Sequence, residues 1–137
     1  MRLQKATRFA LYAVLELARD PARRLSASDI AQRYGISVNH LAKVMRELAR
    51  ARLVEGERGA AGGYRFAANA KRTTLMDIVS LFEPLGPAAG EPGGNSDIGQ
   101  AMAAVLSEID EITQATLRSI SIDTLLRMIT RHRAAAA

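Results

Sequence analysis

The sequence contains no cysteine. Disulfide bonds, thiolate nucleophiles and zinc or iron–sulfur centres held by cysteine are therefore excluded. Aromatic residues make up only 4% of the chain, and no stacking platform of the kind that RNA-binding domains use is visible. No apolar run approaches the roughly 20 residues that cross a bilayer, and no secretory signal is recognisable. We expect a cytoplasmic protein without a membrane partner.

The residue sets of common enzymes are also missing. The sequence shows no arrangement of histidine, carboxylate and nucleophile, and no phosphate-binding loop with a lysine. We therefore do not expect an enzyme. The 137 residues suffice for one compact domain, or for a small domain with an appendage.

Charge is distributed unevenly along the chain. Residues 1–72 hold 15 Lys and Arg against 6 Asp and Glu, a net charge of +9, whereas residues 73–137 hold 4 against 8, a net charge of −4. A basic half joined to an acidic half indicates a domain that binds a polyanion and a separate part that makes other interactions.

The basic half contains the pattern of a helix-turn-helix. Ser26 is a good N-cap with Asp29 in the capping-box position, and Gly35 is placed to end that helix. Ser37 caps a second helix with a basic outer face. Its inward-facing residues are Leu41, Val44, Met45 and Leu48. Two helices joined by a short turn with glycine predict a helix-turn-helix, although a plain helical hairpin has the same pattern.

A β-hairpin is predicted directly after these helices. Two β-prone pieces, at residues 53–55 and 64–66, flank a glycine-rich tip at residues 59–63, with Arg58 at its shoulder. A hairpin in this place makes a winged helix. An arginine at the shoulder of the wing can enter a minor groove, because narrow A/T tracts concentrate negative potential there.

A long amphipathic helix is predicted from residue 97 to residue 116. Its stripe recurs at steps of three and four over about five turns: Ile98, Met102, Val105, Ile109, Ile112 and Thr116. A single helix cannot bury such a stripe on itself. The simplest partner is the same helix in a second copy of the chain, so we expect dimerisation through these six residues. Packing against the chain's own domain is the alternative. Ser121 caps a last helix, and we expect a frayed tail from residue 131.

Several motifs together resemble the Rrf2 family of bacterial regulators. They are the opening helix "MRLQKATRFALYAVLELA", the helix-turn-helix "DIAQRYGISVNHLAKVMRELARARLV", the wing "GERGAAGGYRFA" and the segment "TTLMDIVSLFEP". The resemblance implies a mainly α fold with a small β wing. It implies a winged helix-turn-helix domain over residues 1–83, a flexible linker over 84–96, and a dimerisation helix with a C-terminal helix over 97–137. The implied function is that of a homodimeric transcriptional regulator, which we expect to be a repressor, on a pseudo-palindromic operator in double-stranded DNA.

The resemblance also implies which residues bind DNA. Asn39 and His40 are expected to read base edges in the major groove. Arg58 is expected to enter the minor groove, and the basic residues of the first helix to contact phosphates. The full expected set is Arg2, Lys5, Arg8, Ser28, Ser37, Asn39, His40, Lys43, Arg46, Arg58, Gly62, Gly63 and Tyr64.

The sequence departs from the family's pattern in the linker. Members that bind an iron–sulfur cluster carry three cysteines there, and this chain has none. We therefore expect neither a cluster nor a metal. Three interpretations of the linker remain: a passive hinge, a loop that folds over a small effector, and a metal site without thiolates that uses Glu83, Glu91, Asp97 or a histidine.

A second function remains possible for the whole domain. Winged helices also serve as protein-interaction modules, and fold alone does not decide between the two functions. DNA binding weakens steeply with salt, which separates the two experimentally.

Overall fold

The fold is that of a computed structural model, described over residues 1–57, 62–86 and 90–136. The elements follow in the order α1 (Lys5–Ala18), α2 (Ala27–Tyr34), α3 (Val38–Arg50), β1 (Val54–Glu57), β2 (Gly63–Phe66), α4 (Leu75–Val79), α5 (Asp97–Ser119) and α6 (Ile122–Ala136). The predicted mainly helical fold with a small β wing is confirmed. None of the helices in these ranges is long and apolar enough to span a bilayer.

Two helices start at reciprocal capping motifs, of which the one at Ser26 is predicted in the sequence analysis. The Ser26 hydroxyl accepts a hydrogen bond from the Asp29 backbone N–H, and the Asp29 carboxylate accepts one from the Ser26 N–H, each at 3.0 Å. Thr74 and Asp77 form the same reciprocal motif at the start of α4. Gly35 ends α2 with φ of 65°, a left-handed conformation that favours glycine.

The wing is joined to the rest of the domain by a third extended segment. β1 pairs antiparallel with β2, with Val54 opposite Phe66 and Gly56 opposite Tyr64. Leu25, just before α2, exchanges two backbone hydrogen bonds with Tyr64, with N–O distances of 3.0 and 2.7 Å. β1 begins one residue later than predicted and runs to Glu57, because its pairing with β2 extends toward the tip.

One hydrophobic core holds the domain together. The inner face of α3 is buried as predicted, and it packs with the apolar side of α1 and with α2. The largest apolar side chains that are fully buried are Leu17, Ile30, Leu41, Met45, Leu48, Ile78 and Ile122. The last of these comes from α6, so the C-terminal helix contributes to the core of the winged domain.

Backbone hydrogen bonds fix the return of the chain to this core. The Leu75 N–H donates to the Ile120 carbonyl at 2.9 Å, and the Ile122 N–H donates to the Thr73 carbonyl at 2.8 Å. α6 therefore begins beside α4. It continues to Ala136, so the expectation of a frayed tail from residue 131 is wrong. The alanines that end the chain have high helix propensity, which favours this extension.

Candidate nucleic-acid interface

α3 presents a polar, basic face opposite its buried face. Ser37, Asn39, Lys43 and Arg46 are all exposed. The Ser37 hydroxyl accepts a long hydrogen bond from the His40 backbone N–H, at 3.4 Å, and so caps the helix. Because the opposite face is fixed in the core, the exposed face is held rigidly, as a helix that enters a DNA groove requires.

His40 has an additional role that the sequence did not reveal. Its ring is half-buried and meets the ring of Phe9 edge-on, with centroids 5.0 Å apart and an interplanar angle of 73°. This contact joins α1 to the first turn of α3. The side chain therefore helps to fix the two helices relative to each other. The expected base-reading role of His40 stays a prediction.

The N-terminal end of α1 is basic and lies near the same turn of α3. Arg2, Lys5 and Arg8 are exposed. Lys5 precedes Phe9 by four residues and therefore lies on the same side of α1, toward His40. The predicted phosphate contacts of α1 thus begin next to the helix that is predicted to enter the groove.

Two expected DNA-binding residues of the wing, Gly63 and Tyr64, also have structural roles at its base. A Cβ atom at Gly63 would lie 3.1 Å from the backbone carbonyl carbon of Leu25, so any other residue here would crowd the Leu25 backbone. The Tyr64 ring covers Gly56, where a Cβ atom would lie 3.1 Å from the tyrosine Cε1. The DNA-binding roles of Gly63 and Tyr64, and that of the neighbouring Gly62, stay predictions.

Of two further predicted DNA contacts, Arg58 and Ser28, the structure describes only Ser28. Arg58, expected in the minor groove, lies outside the described residues. Ser28 is exposed in the first turn of α2, where the positive end of the helix dipole favours a phosphate. Its DNA-binding role also stays a prediction.

A buried carboxylate ties α1 to α2. Glu16 is fully buried and accepts hydrogen bonds from Arg19 at 2.7 Å and from Arg23 at 2.9 Å. It also accepts from the Arg33 guanidinium and the Tyr34 hydroxyl. A glutamate among the apolar residues of α1 indicates a need for partners, but the sequence does not reveal which residues provide them.

The surroundings of Glu16 stabilise its charged form. Burial alone would raise the pKa of this carboxyl group, but hydrogen bonds from Tyr34, Arg23 and Arg19 outweigh that effect and lower the pKa. The pKa of Tyr34 is raised by burial and by its bond to Glu16. Glu16 is therefore ionised near neutral pH, and its bonds to Arg33 and Tyr34 hold the first helix of the helix-turn-helix against α1.

The three acids proposed as metal ligands do not converge in the structure. Glu83 accepts hydrogen bonds from the Gln4 N–H and the Thr7 hydroxyl. Asp97 accepts one from the Ile98 N–H at 2.8 Å, and Glu91 is exposed in the linker. Within the described ranges, no three histidine, aspartate or glutamate side chains are grouped as a metal site would require.

A cavity lies between the linker and α5. Its volume is about 970 Å³, and its lining includes residues 90–94 together with Ile98, Met102, Leu106 and Asp110. The carbonyl oxygen of Gly93 packs so closely on the first turn of α5 that a Cβ atom at Gly99 would overlap it. The effector-binding interpretation of the linker has a place in this cavity and stays a prediction.

Comparison with known proteins identifies this arrangement. Residues 3–128 match the model of the Rrf2 family, described as "Iron-dependent Transcriptional regulator". The chain belongs to the Rrf2 family. This member is therefore a DNA-binding transcriptional regulator with a winged helix.

Individual relatives agree with this assignment. The chain is 55% identical over 134 residues to BadM of Rhodopseudomonas palustris, a protein named as an HTH-type transcriptional regulator, with 97% of this chain and 86% of BadM covered. CymR, the global cysteine regulator of B. subtilis, superposes with a TM-score of 0.77 at 25% identity, over 93% of this chain and 98% of CymR. T. potens IscR shares the fold, with a TM-score of 0.76 at 22% identity, over 94% and 88% of the two chains.

The iron in the family's description does not fit the donor atoms of this Rrf2 member. The sequence offers no thiolate, and thiolates are the usual ligands of iron–sulfur clusters. The carboxylate of Glu83 is already bonded to α1.

Proposed function

We propose that this Rrf2 regulator is a homodimer that represses transcription from a pseudo-palindromic operator and works without a thiolate-ligated iron–sulfur cluster. The observation that carries this proposal is the exposed polar face of α3, held on a rigid core beside the basic start of α1. Asn39 would read a base edge, while Lys43 and Arg46 would contact the phosphate backbone of the DNA. Because the chromosome lies in the cytoplasm, we place the protein there.

The apolar stripe of α5 supports the dimer. Ile98, Met102 and Ile112 are exposed by 74%, 57% and 67%. Of the 23 residues of α5, only Leu117 is buried, so the described part of the chain does not cover the stripe itself. A continuous apolar surface of this length is typical of an interface, and two antiparallel copies of α5 would cover one another's stripes.

A dimer would present two recognition helices to one face of the DNA. Two-fold symmetry of the protein implies two inverted half-sites, separated by about one or two turns of the double helix, or roughly 10 to 21 base pairs. Repression is the simplest consequence, because a dimer bound across a promoter excludes the polymerase sterically without any further contact.

Selection from a random DNA library tests the proposal. We expect enrichment of an inverted repeat, a dimer in sedimentation experiments, and a loss of affinity of about 10³-fold or more between 50 and 200 mM salt. A reporter gene under a promoter that contains the selected site should fall in expression when the protein is present. Lack of enrichment together with weak salt dependence would favour a protein-interaction module, and increased expression would contradict repression.

A further inference from the structure

The residues at the N-terminal end of α1 make the start of this helix electrostatically unfavourable. The N-terminus of a helix carries a partial positive charge, which acidic residues stabilise and basic residues oppose. Here Arg2, Lys5 and Arg8 gather at that end, and the first turn contains no acid. The N-cap residue, Gln4, makes no side-chain capping bond in the described structure. This helix start therefore needs an acceptor from elsewhere in the chain.

Glu83, which lies after α4 at the C-terminal end of the winged domain's sequence, provides this acceptor. Its Oε1 accepts a hydrogen bond from the Gln4 N–H at 2.6 Å and another from the Thr7 hydroxyl at 2.7 Å. Thr7 is fully buried, so its hydroxyl depends on this partner. The backbone of Glu83 is fixed in turn, since its N–H donates to the Val79 carbonyl at the end of α4 at 2.9 Å.

We propose that Glu83 is a positioning residue for DNA binding, which holds the start of α1 so that Lys5 and Arg8, and Arg2 just before the helix, face the phosphates. This inference rests on the proposed function. Three exposed basic residues at a helix start would otherwise repel one another and fray that turn. The carboxylate does not itself contact DNA in this proposal; it acts through the geometry of α1.

Two opposite effects of the carboxylate must be separated. Its negative charge, close to three phosphate-binding cations, weakens DNA binding by simple Coulomb repulsion. Its hydrogen bonds to α1 strengthen binding if the proposal is correct. Glu83→Gln removes the charge but keeps an oxygen acceptor for Gln4 and Thr7, whereas Glu83→Ala removes both. Comparing these two variants therefore isolates the hydrogen bonds.

The experiment measures affinity against salt for a duplex that the wild-type protein has selected. Fluorescence anisotropy titrations between 50 and 200 mM KCl give the slope of log K against log salt. We expect E83Q to keep the wild-type slope with equal or slightly higher affinity. We expect E83A to bind at least about 10-fold more weakly, with a slope reduced in magnitude by about 2 to 3, since each lost phosphate contact contributes about 0.9.

Thr7→Val provides an independent test, because valine has the shape of threonine without the hydroxyl. It should shift affinity and slope in the same direction as E83A, by a smaller amount. The double variant should bind no more weakly than E83A alone, because both changes remove the same contact. If E83A does not fold, Thr7→Val against the wild type carries the test alone.

Specific results would overturn the inference. Equal slopes and affinities for E83A and E83Q would mean that the hydrogen bonds do not position the cations. A lower melting temperature for E83A with an unchanged salt slope would show a purely structural cap. If the wild-type protein shows no salt-dependent DNA binding, the proposed function itself fails, and this inference fails with it.

Discussion

α1 and α5 are both amphipathic helices, yet their apolar faces end in different surroundings. α1 buries seven of its 14 residues inside the winged domain. α5 buries one of 23, and its stripe stays exposed within the described chain. The winged-domain core encloses the apolar face of α1, so this buried core is called the closed surface. The apolar stripe of α5 stays exposed and is called the open surface. Changes at the closed surface should affect stability, and changes at the open surface should affect assembly.

The largest expected effect comes from placing a charge in the open stripe. In Ile109→Glu, a carboxylate would have to enter the dimer interface without a partner, which is strongly unfavourable. We expect sedimentation to show a monomer whose winged domain still folds. DNA affinity should fall about 10²- to 10⁴-fold, because the second half-site no longer benefits from effective concentration.

Ala104→Glu is the matched control. Ala104 is exposed on α5 outside the stripe, about 120° around the helix from the stripe's centre, and receives the same charge. We expect this variant to remain a dimer that binds the operator normally. A monomeric Ala104→Glu, or a dimeric Ile109→Glu, would show that the stripe does not form the interface and would remove the distinction between the two helices.

The next effect lies at the closed surface, although in the C-terminal part of the chain. Ile122 is fully buried in the winged-domain core. Ile122→Ala should lower the free energy of unfolding by about 3 kcal/mol, because the lost methyl groups leave a cavity. Chemical denaturation measures this change. Met128→Ala, on the exposed side of the same helix, should change it by less than about 0.5 kcal/mol.

A smaller loss of stability is expected at the buried carboxylate. Glu16→Gln replaces a charged acceptor with an amide whose NH₂ group must face arginine donors. We expect a loss of about 2 kcal/mol at pH 7, as for hydrogen bonds to charged groups. Glu47→Gln makes the same chemical change in an exposed pair with Arg50, and should cost no more than about 0.5 kcal/mol.

The effect of Glu16 depends on pH with a definite sign. Because the folded-state pKa is lowered from the usual 4.5, the carboxylate contributes stability above pH 4.5, and this contribution is lost as the pH falls through the folded-state pKa. The difference in stability between the wild-type protein and Glu16→Gln should therefore shrink in acid. A difference that stays constant from pH 7 to well below pH 4.5 would contradict the lowered pKa.

Features set by local interactions were accessible from the sequence. Within each capping pair, Ser26 with Asp29 and Thr74 with Asp77, the two residues lie three positions apart, and the buried face of α3 repeats at helical spacing. Both patterns can therefore be recognised in a short segment of the sequence. The α5 stripe was visible for the same reason. The sequence could even indicate that this stripe needs a partner, because no single helix covers its own apolar face.

Contacts between distant parts of the chain were not accessible. Glu83 and Thr7 are separated by 76 residues, and no local pattern pairs an acid before a proline with a threonine in the first helix. The bonds of Leu25 to Tyr64 and the burial of Ile122 are of the same kind. His40 shows the consequence for the site: its type suggested base reading, while its neighbour Phe9 gives it a packing role as well.

The smallest expected effect distinguishes two residues on the other open surface, the polar face of α3. Asn39 and Lys43 are both exposed there, but an amide can read a base edge while an ammonium acts on phosphate as a point charge. Asn39→Ala should change base preference at one operator position by on the order of 1 kcal/mol. Lys43→Ala should weaken all sequences alike and reduce the salt slope by about 1. Binding measured over single-base operator variants separates the two, and a uniform loss for Asn39→Ala would mean that this residue positions the helix instead of reading the sequence.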